Sequence, residues 1–148
     1  MKLILPRVLR EQIEAEARGA FPRECCGLIA GRWRGDIADA QTLHPARNVA
    51  IGHDRFEIHP EDHFAAIRAA RDQGHALIGC YHSHPNGVAA PSATDHAGAG
   101  EEGFFWLIAA LTESGGPVSI AAFAYSAGGF VSVALAGPVG ADLVTSSE

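Results

Sequence analysis

The stretch HALIGCYHSHP at residues 75–85 decides the fold, because it combines a buried strand with two candidate metal ligands. Residues 76–81 are almost all apolar, as expected of a central strand that is covered on both faces. Successive side chains of a strand point to opposite faces of a sheet, so that His82 and His84 share one face. The sequence therefore predicts a central strand whose end directs two imidazoles into one space, which is what a metal ion needs.

A second segment, PSATD at residues 91–95, follows the histidines after a short loop. Asp95 falls in the first turn of an expected helix, and the loop can bring its carboxylate back over the end of the strand. Two nitrogens and one oxygen would leave the fourth position of a tetrahedral zinc ion open to water, as in catalytic sites.

Each part of this pattern also has a simpler interpretation. A buried histidine is commonly a core residue, and Ser92 with Asp95 three residues later can form a capped helix start. A capped helix would also hold Asp95 rigid, so the two interpretations are compatible. Taken together, the two histidines and the aspartate favour a metal site.

Apolar periodicity and turn residues predict alternating helices and strands along the rest of the chain. We expect strands over residues 3–5, 25–33, 37–43, 104–111, 118–125 and 130–135, besides 76–81, and helices over residues 6–18, 61–73 and 92–99. The first strand is expected at a sheet edge, and Gly19 is expected to end the first helix. Phe64, Ile67 and Ala70 are expected on the inner face of the second helix. This order predicts an α/β or α+β fold with a mixed β-sheet of roughly six to eight strands sandwiched by helices.

Length and composition bound the class of protein. A chain of 148 residues with 47% hydrophobic and 19% charged residues can bury one core and is too apolar to be disordered. We expect a single domain over residues 1–136 and a loose tail over residues 137–148, where the residues are mostly small and polar.

Charge, hydropathy and cysteine content indicate the environment. Eleven Lys and Arg against seventeen Asp and Glu give a net charge of −6, which disfavours a nucleic-acid partner. No apolar run approaches the roughly 20 residues that span a bilayer, so no membrane partner is expected. The first residues also lack the pattern of a secretory signal. Three cysteines, two of them adjacent at Cys25 and Cys26, do not form a disulfide framework, and a reducing, cytoplasmic location is expected.

The motif H-S-H-P followed by P-S-x-x-D resembles the signature of the JAMM (MPN+) family of JAB-domain zinc metalloproteases. The upstream segment PRECCGLIAG at residues 22–31 is similar to the segment that supplies the family's glutamate. Residues 55–58, RFEI, and Tyr81 before the first histidine are similar to those of short bacterial members. The resemblance covers residues 21–98 through these motifs and implies a JAB/MPN fold, which is related to that of the cytidine deaminases.

The resemblance also implies the roles of five residues. His82, His84 and Asp95 would bind one zinc ion per chain, with a catalytic water as the fourth ligand. Glu24 would act as general acid and base, and Ser92 would help to stabilise the oxyanion. The chemistry agrees with these roles, since zinc lowers the pKa of bound water to about 7 and a neighbouring carboxylate can accept and return its proton. Outside the family context, Glu24 would be interpreted as an exposed acid in a loop before a strand.

The implied activity is that of a zinc isopeptidase or peptidase. Its substrate would be a ubiquitin-like or sulfur-carrier protein, or a conjugate of one, cleaved after the C-terminal Gly-Gly. An extended C-terminal tail could add beside an exposed strand and lead its glycines into a narrow site. The sequence leaves open the particular substrate and pathway, the residue after the scissile bond and the oligomeric state.

Other function classes are less well supported. A non-catalytic scaffold of the same fold would be expected to lack ligands that this chain retains. DNA-repair relatives with a similar motif usually carry an additional helical N-terminal region, and the acidic charge disfavours DNA. The H-x-E…P-C-x-x-C pattern of zinc nucleoside deaminases is absent from the sequence. Cys25 and Cys26 are better explained as buried strand residues than as a nucleophile.

Overall fold

A computed structural model describes residues 1–138 and contains seven strands and three helices within that range. The strands are β1 (Lys2–Ile4), β2 (Cys26–Arg34), β3 (Ile37–Ala46), β4 (Ala76–His84), β5 (Phe105–Ala110), β6 (Ser119–Ser126) and β7 (Gly129–Ala136). The helices are α1 (Arg7–Ala20), α2 (Pro60–Asp72) and α3 (Ala93–Gly98). The strands form one mixed sheet in the order β1-β3-β2-β4-β5-β6-β7. The predicted α/β architecture is therefore confirmed.

The sheet closes on itself through β1. This strand pairs in parallel with β3 on one side and with β7 on the other, so that Leu3 lies opposite both Ala38 and Leu135. The prediction of an edge strand is wrong, because the sheet curls until its two end strands flank β1. Closure satisfies the backbone hydrogen-bonding groups on both sides of β1 and buries Leu3 completely.

Helices cover both faces of the sheet, as predicted. Tyr81 and its neighbour Cys80 belong to two separate apolar clusters, as expected for successive residues of one strand. The cluster around Tyr81 includes the buried residues of α1, which are Leu9, Ile13 and Ala17. The cluster around Cys80 includes Ala66 of α2, together with Leu28 and Trp106. The strand that carries the two histidines is thus fixed from both sides.

The end of α1 differs from the prediction. The helix continues through Gly19 to Ala20, and the N–H of Phe21 donates to the carbonyl of Ala17 at 3.2 Å. A glycine is tolerated within a helix, whereas Pro22 has no N–H with which to extend one. The helix therefore ends at the residues before the proline and not at the glycine.

The rotation of α2 also differs from the prediction. Ala66 and Ala70 are each 2% exposed, whereas Phe64 is 62% exposed and does not lie on the inner face. Ile67 is half-buried. The start of the helix is held by Asp62, which accepts hydrogen bonds from the backbone N–H and the guanidinium of Arg47. The small alanines of α2 face the sheet, and the phenylalanine faces outward.

Tyr81 joins α1 to the centre of the sheet. Its hydroxyl donates to the carboxylate of Glu16, 2.9 Å from either oxygen, and its side chain is fully buried. Gly27 on β2 lies directly over the tyrosine, since a Cβ atom there would be 2.3 Å from Tyr81 Oη. The absence of a side chain at Gly27 therefore allows the tyrosine to cross to the helix.

The predicted tail lies outside the described residues from position 139 onward, and the single domain over residues 1–136 stays a prediction. Within the part of the chain that the structure describes, every helix is too short or too polar to cross a bilayer.

We expect Gly27→Ala to lower the free energy of unfolding by about 1–3 kcal/mol, the usual cost of adding a group to a packed site. Urea denaturation measures this difference. Gly19→Ala is the matched control, because no atom lies within 4 Å of a Cβ at that position and alanine favours the helix. If the two variants were equally stable, the close approach of Gly27 to Tyr81 would not be a constraint on the fold.

Candidate functional site

The pairing of β2 with β4 brings an early acid to the histidines. The two strands are antiparallel, with Cys26 opposite His82. Continuing the same register by two residues places Glu24 at the level of His84. Glu24 is 4% exposed, so it is not the solvated loop acid that its sequence context alone would indicate.

Ser83, the residue between the histidines, holds this arrangement in place. Its hydroxyl accepts a hydrogen bond from the backbone N–H of Cys25 at 2.8 Å, and its own N–H donates to the Cys25 carbonyl at 3.1 Å. Ser83 is fully buried. The residue that follows Glu24 is therefore joined by two hydrogen bonds to the residue between the histidines.

Asp95 reaches the same place from α3. Ser92 is the N-cap of this helix: its hydroxyl accepts from the Asp95 N–H at 3.0 Å, and Asp95 Oδ2 accepts from the Ser92 N–H at 2.9 Å. This reciprocal pair is a capping box, with aspartate in the place of the usual glutamate. The capping interpretation of Ser92 and Asp95 is thus confirmed, and it holds the Asp95 carboxylate over the end of β4.

The three side chains meet at short distances. The Nε2 atoms of His82 and His84 are 2.9 Å apart, and Asp95 Oδ2 lies 3.2 Å from the first and 3.0 Å from the second. Glu24, His82 and His84 each offer one ligand atom within 4.8 Å of the other two. The residues that the sequence analysis singled out therefore converge on one centre, with Ser92 beside them.

The geometry of this centre fits a zinc ion. His84 Nδ1 donates to the carbonyl of Val88 at 2.8 Å, which leaves the lone pair of neutral His84 on Nε2. Nε2 then faces Asp95 Oδ2 and His82 Nε2, so a proton or a metal ion must lie among these atoms to offset their repulsion. Zinc bonds of 2.0–2.1 Å at tetrahedral angles separate two ligand atoms by roughly 3.3 Å, close to the separations found here.

Burial controls the charges of the site. It raises the pKa of the Glu24 carboxyl to about 7, although the nearby His84 lowers it in part. Burial also disfavours the charged form of Asp95, but the two imidazoles against its carboxylate outweigh burial, and the pKa of Asp95 is lowered. Burial lowers the pKa of His82. Asp95 is thus ionised, whereas Glu24 can gain or lose a proton near neutral pH, as a general acid or base must.

Two buried polar atoms of the site have no hydrogen-bond partner in the described structure, Glu24 Oε1 and His82 Nδ1. A buried carboxylate oxygen without a partner is unfavourable, and such atoms concentrate where a protein binds or transforms a ligand.

Aromatic packing on His82 is a feature that the sequence analysis missed. Phe56 stacks on the imidazole with ring centroids 4.3 Å apart, and the Trp106 ring lies edge-on at 5.8 Å. Phe56 belongs to the RFEI segment, but sequence spacing contains no signal that connects this segment to the histidine. The packing holds the His82 ring in one orientation.

Two cavities adjoin the centre. One of about 510 Å³ contains Glu24, His84 and Ser92 and is also lined by His53 and Asp54. A larger one of about 830 Å³ lies between α2, α3 and the sheet, is lined by Asp95, Phe56 and Trp106, and shares the lining residue Thr94 with the first. We identify the smaller cavity as the candidate active-site cleft, because it holds the unpaired carboxylate. His53 is exposed and also lines this cleft.

The remaining candidate residues are not part of the centre. Burial raises the pKa of the Cys25 thiol to about 11 and that of Cys26 to about 12, so neither is a thiolate nucleophile at neutral pH. The ring of His96 packs edge-on against Phe130 at 4.9 Å. The prediction that neither cysteine is a nucleophile agrees with these raised thiol pKa values.

Comparison with known families decides the assignment. Residues 6–123 match the family of prokaryotic homologs of the JAB domain. The chain belongs to this family. The matched range contains Glu24, both histidines, Ser92 and Asp95, and the JAB/MPN resemblance noted in the sequence is confirmed.

Three relatives carry descriptive names. The chain is 36% identical to a desampylase of Haloferax volcanii over 115 residues, which cover 72% of this chain and 79% of the relative. It is 33% identical to a probable TtuB-protein conjugate cleaving protease of Thermus thermophilus, over 63% of this chain and 60% of the relative. It is also 35% identical to the tail tip assembly protein K of Escherichia phage N15, over 59% of this chain but 32% of that longer protein.

Solved structures agree with the fold. A protein of Desulfitobacterium hafniense has a TM-score of 0.83 at 29% identity, with 92% of each chain covered. A JAB1/MPN domain protein of Archaeoglobus fulgidus has a TM-score of 0.53 at 21% identity, covering 91% of this chain and 95% of that one. The second likeness concerns the fold alone.

We expect Ser92→Ala to lower the free energy of unfolding by about 1 kcal/mol, because the Asp95 N–H loses its acceptor and the six-residue α3 loses its cap. Ser92→Thr keeps a hydroxyl at the N-cap and should retain most of the stability. Chemical denaturation of the three proteins makes the comparison. An alanine variant as stable as the wild type would mean that the capping box does not hold α3.

Proposed function

We propose that this JAB-domain protein is a zinc-dependent peptidase or isopeptidase that cleaves after the C-terminal Gly-Gly of a ubiquitin-like or sulfur-carrier protein. The observation that carries the proposal is the convergence of two imidazoles, a capped aspartate and a buried, unpaired glutamate beside one cleft. The names of the Haloferax and Thermus relatives support the substrate class.

The contacts support a division of roles among the four side chains. Asp95 Oδ2 touches both Nε2 atoms, so that His82, His84 and Asp95 would hold the zinc ion. Glu24 is within reach of the same centre, and its buried Oε1 atom has no hydrogen-bond partner in the described structure. Glu24 is therefore assigned to proton transfer.

In the proposed mechanism, each residue of the cleft acts at a particular step of the reaction. When bound, zinc would polarise the scissile carbonyl and acidify water. Glu24, as the carboxylate, accepts a proton from the attacking water and then donates it to the leaving amine. Ser92 Oγ accepts from the Asp95 N–H, which leaves its own hydroxyl proton available to donate to the developing oxyanion.

The lining of the cleft agrees with a glycine tail. Pro22, Pro85 and Asn86 lie in the walls of the smaller cavity, together with Glu24 and His84. Two glycines carry no side chains that would contact such walls, so the scissile bond of a Gly-Gly tail can approach buried groups closely. Cleavage of conjugates of this kind would take place in the cytoplasm, where carrier and ubiquitin-like proteins are made.

A non-catalytic scaffold is the alternative proposal, and the site argues against it physically. Burial of a carboxylate and two imidazoles within hydrogen-bond distance of one another lowers the stability of the folded protein. A protein that only binds partners would gain nothing from this arrangement. Replacing them by apolar residues of similar size would be expected to stabilise a scaffold.

We expect the purified wild-type protein to contain about one zinc ion per chain and the double variant His82→Ala, His84→Ala to contain none, since three protein ligands form the minimum set of a catalytic zinc site. Metal analysis by mass spectrometry measures the content. His96→Ala is the control, because this residue adjoins Asp95 in sequence but packs on Phe130. Zinc retained by the double variant, or lost from the control, would contradict the assignment of His82 and His84 as zinc ligands.

We expect Glu24→Gln to keep its zinc and to lose activity by about 100-fold or more in kcat, the usual contribution of a general acid–base. The assay is cleavage of a sulfur-carrier protein whose Gly-Gly end is fused to a reporter, with the products weighed by mass spectrometry. Glu113→Gln, a change at an exposed acid, should retain full activity. Full activity of the Glu24 variant would contradict its role, and a zinc-loaded wild type that cleaves no Gly-Gly fusion would contradict the proposed substrate.

A further inference from the structure

Asn48 uses every hydrogen-bonding position of its side-chain amide. Its Nδ2 donates to the carbonyl of Glu24 at 2.9 Å and to that of Arg55 at 3.3 Å. Its Oδ1 accepts from the N–H of Ala50 at 3.0 Å and from that of Glu57 at 2.9 Å. An amide has two N–H donors and one oxygen with two lone pairs, so this residue is fully satisfied. One side chain thus connects the backbone of Glu24 to three points of another segment.

That segment is a closed loop, residues 49–57, which we call the cleft loop. Its base is formed by backbone hydrogen bonds from Val49 to Glu57 at 2.9 Å and from His59 to Arg47 at 3.0 Å. Asn48 forms an isolated β-bridge with Ile58 at the same place. The side chain of Asn48 therefore occupies the base of the cleft loop and points across it to Glu24.

The cleft loop carries three residues to the active site. His53 and Asp54 line the cleft with Glu24 and His84. Phe56 stacks on the imidazole of His82. Movement of the loop would alter both the wall of the cleft and the packing of a proposed zinc ligand.

The orientation of Glu24 depends on its backbone. Its Oε1 atom is buried and has no hydrogen-bond partner in the described structure. The backbone on one side of the residue is held by the bond from Cys25 N–H to Ser83 Oγ, and its own carbonyl is held by Asn48. Of these two hydrogen-bond partners, Ser83 belongs to β4 and Asn48 to the base of the cleft loop.

We infer that Asn48 is a positioning residue for catalysis, which couples the carboxylate of Glu24 to the cleft loop. The inference rests on the proposed function only for its kinetic consequence. Displacement of a catalytic group by about 1 Å can lower a rate by about 100-fold, so the loss of one backbone contact at Glu24 is enough to reduce turnover.

Asn48→Asp tests the coupling with little change in shape. An aspartate keeps both acceptor bonds, to the N–H groups of Ala50 and Glu57, and so keeps the base of the cleft loop. It loses both donor bonds and sets a carboxylate oxygen against the carbonyl of Glu24. We expect kcat on the Gly-Gly fusion to fall by about 10- to 100-fold with KM within about twofold, while zinc content stays near that of the wild type and the protein remains folded at the assay temperature.

Two further variants distinguish the loss of the Asn48 contacts from the effect of an added negative charge and from the release of the cleft loop. Gln41→Glu adds the same negative charge at an exposed position of β3 and should leave kcat unchanged. Asn48→Ala removes all four bonds and should raise KM as well as lower kcat, because the cleft loop is then released. Wild-type kcat in the aspartate variant overturns the inference. A fall in kcat that is matched by equal losses of zinc and of folded protein also overturns it, since the residue would then act only on stability.

Amide hydrogen exchange provides a test that needs no substrate. In Asn48→Asp, the Cys25 N–H should exchange faster than in the wild type, while the N–H groups of Ala50 and Glu57 stay protected. Unchanged exchange at Cys25 would overturn the inference. If the wild type cleaved no Gly-Gly fusion, the proposed function would fail, and the exchange at Cys25 would still decide whether Asn48 holds the backbone of Glu24.

Discussion

The register between β2 and β4 is the constraint on which the site depends. With Cys26 opposite His82, the chain just before β2 arrives beside the histidines, and Ser83 joins it there through two hydrogen bonds. A slip of one residue would turn every side chain of a strand to the other face. The acid and the imidazoles would then lie on opposite sides of the sheet. Gly27 and Tyr81 oppose such a slip, because only the glycine leaves room for the tyrosine to reach Glu16.

The centre concentrates polar groups in surroundings that are otherwise apolar. Glu24, His82, His84 and Asp95 are each at most 4% exposed, and burial of such groups is unfavourable without partners. Their positions are therefore stabilised by packing and hydrogen-bond contacts around the centre. Ser92 caps the helix that carries Asp95, Val88 fixes the tautomer of His84, and Phe56 packs on the ring of His82. Activity in such a site depends on these supports as much as on the ligands.

The parts of the structure that were predicted correctly are those set by local patterns. Alternation along a strand puts His82 and His84 on one face, and a serine three residues before an acid is a common start of a helix. The errors arose where a distant contact overrides the local pattern. Phe64 has helical spacing for the inner face, but in the folded chain Ala66 and Ala70 of α2 are buried and Phe64 points outward. Likewise, β1 has the length of an edge strand and is nevertheless paired on both sides.

The sequence by itself determined the candidate metal-ligand pattern, since two histidines on one strand face and a capped aspartate follow from spacing within fourteen residues, 82–95. It also determined the mixed α/β class through the periods of its apolar residues. Only the tertiary structure decided that Glu24 is buried at the same centre, that Phe56 packs on His82 and that Asn48 joins the two. These contacts link residues far apart in the chain, and their geometry depends on strand register and loop closure. The local spacing of apolar and polar residues contains no information on either.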